Sequence, residues 1–231
     1  MNGTLYGLGV GPGDPELMTL KAIRILTEQN YVAVPSEKPL ESVAYQIALA
    51  AYPKLAEKEI ISLSMPMSHN RDKLKQYHQR AAEKIESYLR LGKSVVFLTL
   101  GDPTVYSTFG YVEKIVASHG FSTQFVSGVP SFCAAAAKLN LPLSLWNEGI
   151  HIIPGIHNIS KLPESGTCII MKSGKKLSLV KQMLLDVHRE ALMIENCGME
   201  NEKVYHHLNE FPESSGYFSL IISPSPSRLP S

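Results

Sequence analysis

The chain has 231 residues, 44% of them hydrophobic, which is enough to bury two modest cores. A formal net charge of +1, without a long Lys/Arg tract, argues against nucleic acid as a partner. No apolar stretch approaches the roughly 20 residues that span a bilayer, and the start Met1-Asn-Gly-Thr4 has no charged segment before an apolar one, so we expect a soluble, cytoplasmic protein with no membrane partner.

Apolar strands alternate with amphipathic helices along the first half of the chain, a pattern typical of a parallel sheet covered by helices. The predicted strands are residues 4–9, 31–34, 59–63, 94–100 and 122–126, and the predicted helices are 19–29, 41–51, 72–91 and 110–119. The second half begins with an alanine-rich helix and then has strands near 149–153, 167–171, 190–194 and 217–222, with a helix at 176–187. The sequence predicts an α/β protein of two domains, residues 1–127 with a parallel sheet and residues 128–231.

Four alternating glycines, Gly7, Gly9, Gly11 and Gly13, follow the first predicted strand. A dinucleotide fingerprint would need a third glycine at position 12, where Pro12 has no N–H to offer a pyrophosphate. A nucleoside triphosphate loop would need a Gly-Lys-Ser/Thr ending, which this loop lacks. The loop therefore suits a ligand without phosphate that lies close to the backbone.

The tetrad Gly101-Asp102-Pro103-Thr104 comes directly after the buried strand 94–100. In open α/β sheets the carboxyl ends of strands form the crevice where small ligands bind, which would place Asp102 over a pocket. The alternative is an ordinary turn in which Asp102 caps the next helix. Residues 125–137 again give a strand, a glycine turn and a helix of small residues, and strand 167–171 ends at Met171, which a plain core position would also explain.

Together these segments resemble the tetrapyrrole methylase family, whose members use S-adenosylmethionine to methylate corrin precursors. The motifs that carry the resemblance are residues 9–17 (GVGPGDPEL), 101–103 (GDP), 128–132 (GVPSF), 171–172 (MK), 194–196 (IEN) and 217–222 (YFSLII). Three features resemble the branch that methylates carbon 20 of precorrin-2 or its cobalt form: Pro66-Met67 followed by Arg71-Asp72, residues 102–109 (DPTVYSTF), and Ser131-Phe132. The resemblance implies two αβα domains of the class III methyltransferase fold, with a ligand cleft between them.

The resemblance also implies which residues bind S-adenosylmethionine. They are Pro12, Leu100, Gly101, Asp102, Val105, Tyr106, Pro130, Ser131, Met171 and Cys197. Asp102 would contact the donor's ammonium, and Met171 and Cys197 would flank the adenine. Related enzymes have Gly directly after Glu-Asn, whereas this chain has Cys197-Gly198, so the glycine is displaced by one position.

The tetrapyrrole acceptor carries a ring of carboxylates, so positive and hydrogen-bonding groups are expected around it. The candidates are His69, Arg71, Lys172, Lys175 and Lys176, and for each of them the alternative is a solvated surface cation. The Arg71 segment is interpreted as a loop between a strand and a helix.

Methyl transfer from a sulfonium to carbon needs alignment of donor and acceptor more than a nucleophilic side chain, and the sequence shows no Ser-His-Asp or Cys-His spacing. The methylated carbon must then lose a proton. Asp14, Asp102 and Tyr106 are candidate acceptors, and the pyrrole nitrogens of the ring are an alternative.

Three scattered cysteines and eight scattered histidines give no metal-ligand spacing, and His206-His207 adjoin on a predicted helix. We therefore expect no protein-bound metal, and any cobalt would enter with the macrocycle. The resemblance implies a homodimer. It favours the cobalt-loaded substrate, cobalt-factor II, over metal-free precorrin-2, since the chain is short and lean in arginine. The alternatives are a methylase acting on another corrin intermediate or on a modified histidine of a translation factor, and a non-catalytic tetrapyrrole carrier.

Overall fold

The computed structural model describes residues 2–66, 70–155 and 161–226. The chain divides into two compact units, residues 1–130 and 131–231. This division lies three residues after the predicted boundary between residues 127 and 128, and Gly128 donates a hydrogen bond to Asp102 of the first unit. Within the described residues, no helix combines the length and the apolar character that crossing a membrane requires.

The first unit is a parallel sheet of five strands with helices between them, as the sequence predicts. Its elements are β1 (Thr4–Gly9), α1 (Leu20–Glu28), β2 (Tyr31–Val34), α2 (Val43–Ala51), β3 (Glu59–Ser62), α3 (Arg71–Leu89), β4 (Val95–Thr99), α4 (Phe109–Ser118) and β5 (Ser122–Val126). The strand order is β3-β2-β4-β1-β5, and all four pairings are parallel. The carboxyl ends of β4, β1 and β5 consequently lie side by side.

Alternation of side chains along the central strands builds a separate core on each face of this sheet. On β4, Val96 and Leu98 join the core formed with α1 and α2, whereas Val95 and Phe97 join the core formed with α3 and α4. All four side chains are fully buried. This double burial explains why the strand reads as one continuous apolar run, and it gives the unit its three αβα layers.

Short polar residues begin the helices that cover the sheet. Thr19, Ser42 and Asn70 are the N-caps of α1, α2 and α3, and each side chain accepts a hydrogen bond from a backbone N–H in the first turn. Because Asn70 is the cap, α3 begins at Arg71, so the prediction that Arg71 lies on a loop is wrong.

The second unit contains a mixed sheet. Its elements are α5 (Ser131–Lys138), β6 (Ile150–Ile153), β7 (Thr167–Met171), α6 (Leu177–Asp186), β8 (Leu192–Glu195), β9 (Lys203–Tyr205) and β10 (Ser219–Ser223). The strand order is β6-β7-β10-β8-β9, in which β6 and β7 are parallel and the other pairings are antiparallel. The predicted helix at His206-His207 is wrong. These histidines follow β9, a three-residue edge strand too short to give a periodic signal, and His207 precedes a 3₁₀ turn.

A buried arginine ties the end of the second sheet together. Arg189, only 3% exposed, lies between α6 and β8. Its guanidinium donates to the carbonyls of Pro163, Gly166, Ser223 and Pro224 and to the Ser223 hydroxyl, over 2.7–3.1 Å. One side chain thus joins the segment before β7 to the end of β10.

We expect Arg189→Lys to lower the free energy of unfolding by at least about 2 kcal/mol, since a lysine has one nitrogen and leaves several buried carbonyls without a donor. Urea denaturation measures the change. Arg24→Lys is the matched control, because Arg24 is exposed and pairs with Glu28 on the same helix, so its change should stay within about 0.5 kcal/mol. Equal changes in unfolding free energy for the two substitutions would contradict the role of Arg189 as the donor to these buried carbonyls.

Candidate functional site

Three turns meet at the carboxyl edge of the first sheet. We call them the β1 turn (residues 10–14), the β4 turn (residues 100–108) and the β5 turn (residues 127–130). The β1 and β4 turns remain hydrogen-bonded beyond the parallel strands, since Gly11 donates to the Gly101 carbonyl (3.2 Å) and Gly101 donates to the Gly11 carbonyl (2.8 Å). Both glycines have left-handed φ values, 78° and 71°.

Glycines allow the backbones of the three turns to touch. A Cβ atom on Gly9 would lie 2.5 Å from the Gly101 carbonyl oxygen and 2.7 Å from the Gly128 nitrogen, and one on Gly128 would lie 2.2 Å from the same oxygen. For Gly9, the sequence predicts close approach of a ligand to the backbone. In the structure, Gly9 and Gly128 are needed because backbone meets backbone.

Asp102 joins two of these turns. The residue as a whole is 7% exposed. One oxygen, Oδ1, accepts from the backbone N–H of Thr104 (2.7 Å) and from the Thr104 hydroxyl, and Oδ2 accepts from the backbone N–H of Gly128 (2.9 Å). The side chain therefore connects the β4 turn to the β5 turn.

Tyr106 lies in the β4 turn between two fixed points. On one side Val105 donates to the Asp102 carbonyl, and on the other the Ser107 hydroxyl accepts from the Phe109 N–H (3.0 Å). Tyr106 itself has φ 47° and is 50% exposed. The left-handed conformation costs a tyrosine about 1–2 kcal/mol, so its neighbours determine this backbone geometry.

The β1 turn holds the third candidate proton acceptor. Asp14 is half-buried, and its Oδ1 accepts from the Glu16 N–H (2.9 Å), which makes it the N-cap of a short 3₁₀ turn. Pro12 in the same turn is buried. Asp14, Asp102 and Tyr106 thus all lie in turns at one edge of the first sheet.

The structure distributes the predicted donor-binding residues over both units. Pro12, Leu100, Gly101, Asp102, Val105, Tyr106 and Pro130 lie in the three turns of the first unit. Ser131 is the first residue of α5, Met171 is the last residue of β7, and Cys197 lies in the turn after β8.

Met171 and Cys197 lie at one edge of the second sheet. Strands β7 and β8 both pair antiparallel with β10, so their carboxyl ends point the same way. Met171 pairs with Leu220, and Glu195, two residues before Cys197, pairs with Ser219. Both predicted adenine-flanking side chains are partly buried.

Cations cluster after β7. Lys172 has φ 55°, and its Nζ lies 5.7 Å from the centre of the Tyr217 ring. Lys175 and Lys176 are exposed in a 3₁₀ turn. In the first unit Arg71 is exposed at the start of α3, and His69 lies outside the described residues.

Sequence reasoning missed the role of Gly128 and Thr104 as the donors to Asp102. A threonine two positions after an aspartate is a common turn signature, so the Thr104 bond could have been found. The Gly128 bond joins residues 26 positions apart and has no local signal.

The residues predicted to bind the donor share one chemical character. Asp102 is the one formally charged residue among them, and the others are apolar, small or neutral. A set of this composition is typical of sites for small, largely apolar ligands without phosphate. Within the residues that the structure describes, no group of three or more His, Cys, Asp or Glu side chains is arranged to hold a metal ion.

The family of tetrapyrrole (corrin/porphyrin) methylases matches residues 4–211. The chain belongs to this family. A probable cobalt-precorrin-2 C(20)-methyltransferase of Methanocaldococcus jannaschii is 38% identical over 94% of each chain. The cobalt-precorrin-2 C(20)-methyltransferase of Salmonella typhimurium is 28% identical over 96% of each chain. The predicted family is therefore confirmed, and with it the class of enzyme.

Other tetrapyrrole methylases match over different lengths. The chain spans about half (47%) of the length of the cobalamin biosynthesis protein CobIJ of Mycobacterium tuberculosis. The crystal structure of uroporphyrin-III C-methyl transferase from Thermus thermophilus complexed with S-adenyl homocysteine has a TM-score of 0.65, with 23% identity over 96% of this chain and 97% of that one. The predicted α/β methylase fold is confirmed by this likeness.

We expect Gly9→Ala to destabilise this tetrapyrrole methylase by about 1–3 kcal/mol, because the new Cβ would meet backbone atoms of Gly101 and Gly128. Gly110→Ala in α4 is the matched control, since nothing lies within 4 Å of its added Cβ, and it should stabilise the helix by up to about 1 kcal/mol. Urea denaturation of both variants measures the difference. An unchanged unfolding free energy in Gly9→Ala would show that the three turns do not pack this closely.

Proposed function

We propose that the protein transfers the methyl group of S-adenosylmethionine to carbon 20 of cobalt-precorrin-2, a step of cobalamin biosynthesis. The observation that carries the proposal is the 38% identity, over 94% of each chain, to the relative of that name. The relative from Salmonella carries the same activity in its name. S-adenyl homocysteine, which methyl transfer leaves behind, is bound in the Thermus relative.

When bound, S-adenosylmethionine supplies a methyl carbon that carbon 20 takes in an in-line displacement, while the carbon–sulfur electron pair leaves on sulfur. The chain's own contribution is alignment, which can supply much of the barrier reduction in such reactions. The β1, β4 and β5 turns of the first unit provide backbone and apolar contacts for the donor. From the second unit, Met171 and Cys197 are proposed for the adenine. The hydrogen bonds and close packing of the three turns prepare their edge of the first sheet before binding.

Carbon 20 loses a proton once it is methylated. Asp102 is the most enclosed of the three candidate acceptors, and both of its carboxylate oxygens already accept hydrogen bonds from protein groups. Asp14 and Tyr106 are the candidates that solvent reaches. The Asp14 carboxylate is therefore better placed to take the proton directly or through water, and the Tyr106 hydroxyl is better placed to relay it to water by accepting one proton and releasing its own.

The acceptor's carboxylates require cations. Lys172, Lys175 and Lys176 provide three exposed ammonium groups within five residues, directly after β7. Arg71 and His69 are the candidates from the first unit. The four-carbon stem of a lysine is flexible, which suits a substrate whose carboxylates sit on flexible side chains.

Anaerobic incubation of the purified protein with S-adenosylmethionine and cobalt-precorrin-2 should give S-adenosylhomocysteine and a singly methylated product, with the methyl at carbon 20 by NMR. We expect at least a tenfold lower rate with metal-free precorrin-2. A faster reaction on metal-free precorrin-2 would overturn the proposal that the substrate contains cobalt. Methylation at another position would overturn the choice of acceptor carbon, and binding of the tetrapyrrole without any transfer would identify a carrier.

The three cysteines allow the donor site to be mapped. Cys197 is partly buried beside the predicted adenine position, Cys133 is exposed on α5, and Cys168 is buried in β7, where burial raises the pKa of its thiol. S-adenosylhomocysteine should slow alkylation of Cys197 by iodoacetamide at least fivefold and leave Cys133 unchanged. Cys168 should stay unmodified throughout.

Mass spectrometry of the digested protein measures each cysteine separately. Protection of neither Cys197 nor Cys133 at saturating S-adenosylhomocysteine would remove Cys197 from the adenine site. Equal protection of both would indicate a general change of the protein rather than a local contact.

The homodimer and the cytoplasmic location belong to the same proposal. Leu145, Trp146 and Ile150 expose apolar side chains at or just before the edge strand β6, which supports an association surface there.

A further inference from the structure

We propose that Asp102 is a positioning residue: its carboxylate holds the β5 turn against the β4 turn and so shapes the donor-binding edge, without itself binding the donor. This inference rests on the proposed function in taking S-adenosylmethionine as the ligand. It replaces the contact to the donor's ammonium that the family resemblance implies for this side chain.

The hydrogen bonds of the Asp102 carboxylate show that both of its oxygens are already occupied by protein donors. Oδ1 accepts from the Thr104 N–H and hydroxyl, and Oδ2 accepts from the Gly128 N–H. With 7% of the residue exposed, the carboxylate is largely withdrawn from the surface that a ligand would touch. Three donors to an ionised group are worth more than neutral hydrogen bonds, so this arrangement resists rearrangement.

The packing around Gly128 links its position to the β1 and β4 turns. Its backbone lies so close to Gly101 and Gly9 that no Cβ fits between them. Gly101 in turn exchanges two hydrogen bonds with Gly11. A shift of Gly128 would therefore disturb the β1, β4 and β5 turns together, and Asp102 is the side chain that fixes Gly128 in place.

The two roles of Asp102 predict different losses. A carboxylate that contacts the ammonium matters only for ligands with the amino acid moiety. A carboxylate that positions the turns matters also for ligands that have the nucleoside alone. S-adenosylhomocysteine and 5′-methylthioadenosine differ in this moiety, so the pair separates the roles.

Asp102→Asn keeps the shape of the side chain but turns one acceptor into a donor, which then faces an N–H group. We expect calorimetry to show about a tenfold loss of affinity for both nucleosides, with the ratio of the two affinities unchanged. Thr104→Val is the matched control. It removes one of the three hydrogen bonds, leaves the bond to Gly128 intact, and should bind both ligands within about twofold of the wild type.

Hydrogen exchange gives a second readout that needs no ligand. In the wild type the Gly128 amide should be protected, and Asp102→Asn should speed its exchange at least tenfold while the amides of Leu8 and Leu98 in the strands keep their rates. If the Asp102→Asn variant does not fold, the exchange rate of the Gly128 amide in the wild type still tests the proposal. Exchange there at the rate of a free amide would overturn the proposal.

A loss confined to S-adenosylhomocysteine would restore the ammonium contact, and unchanged affinity for both ligands would show that fixing the turns is unimportant. Either result overturns the positioning role. Failure of the wild type to bind either nucleoside would instead overturn the proposed function, and the exchange of the Gly128 amide would remain a separate result.

Discussion

The close contact of three backbone turns at the end of a parallel sheet is the constraint on which the rest of this structure depends. Strands β1, β4 and β5 end side by side, and their turns approach until a single added carbon would lie within 2.2–2.5 Å of a carbonyl oxygen. The carboxyl ends of neighbouring parallel strands lie at the same edge of the sheet, so the turns that follow them are close together. Glycine permits this approach because it has no side chain. Asp102 fixes the β4 turn to the β5 turn by accepting a hydrogen bond from Gly128.

This constraint explains how the site can be rigid while lying in loops. Loops usually have more freedom than the elements they connect. Here Asp102 fixes the start of the β4 turn, Ser107 bonds at its end, and Tyr106 is held between them in a left-handed conformation. The strain on Tyr106 is tolerated because the fixed points on either side leave the chain no easier path. A surface prepared in this way suits a reaction in which alignment of donor and acceptor is the main requirement.

The sequence predicts the first unit almost completely, because a strand buried on both faces reads as an apolar run and three of its four described helices, α1, α2 and α3, begin at a polar cap. The prediction is weaker where contacts are short or distant. Strand β9 has three residues, too few for an alternation of apolar and polar residues to be visible, and the sequence therefore wrongly predicts a helix at His206-His207. Motif similarity brought together the residues of the β1, β4 and β5 turns. It could not show that Gly9 and Gly128 serve backbone packing, since that depends on contacts among Gly9, Gly101 and Gly128, which are far apart along the chain.

A net charge near zero conceals an uneven distribution of charge in the candidate site. The residues proposed for the donor include one carboxylate, and that carboxylate is occupied by backbone N–H and hydroxyl donors. The residues proposed for the acceptor are dominated by cations, three of which follow β7 within five positions. A cationic donor and an anionic acceptor need opposite surroundings. An enzyme that binds both gains nothing from a uniform field, so separate neutral and positive regions are compatible with a total charge of +1.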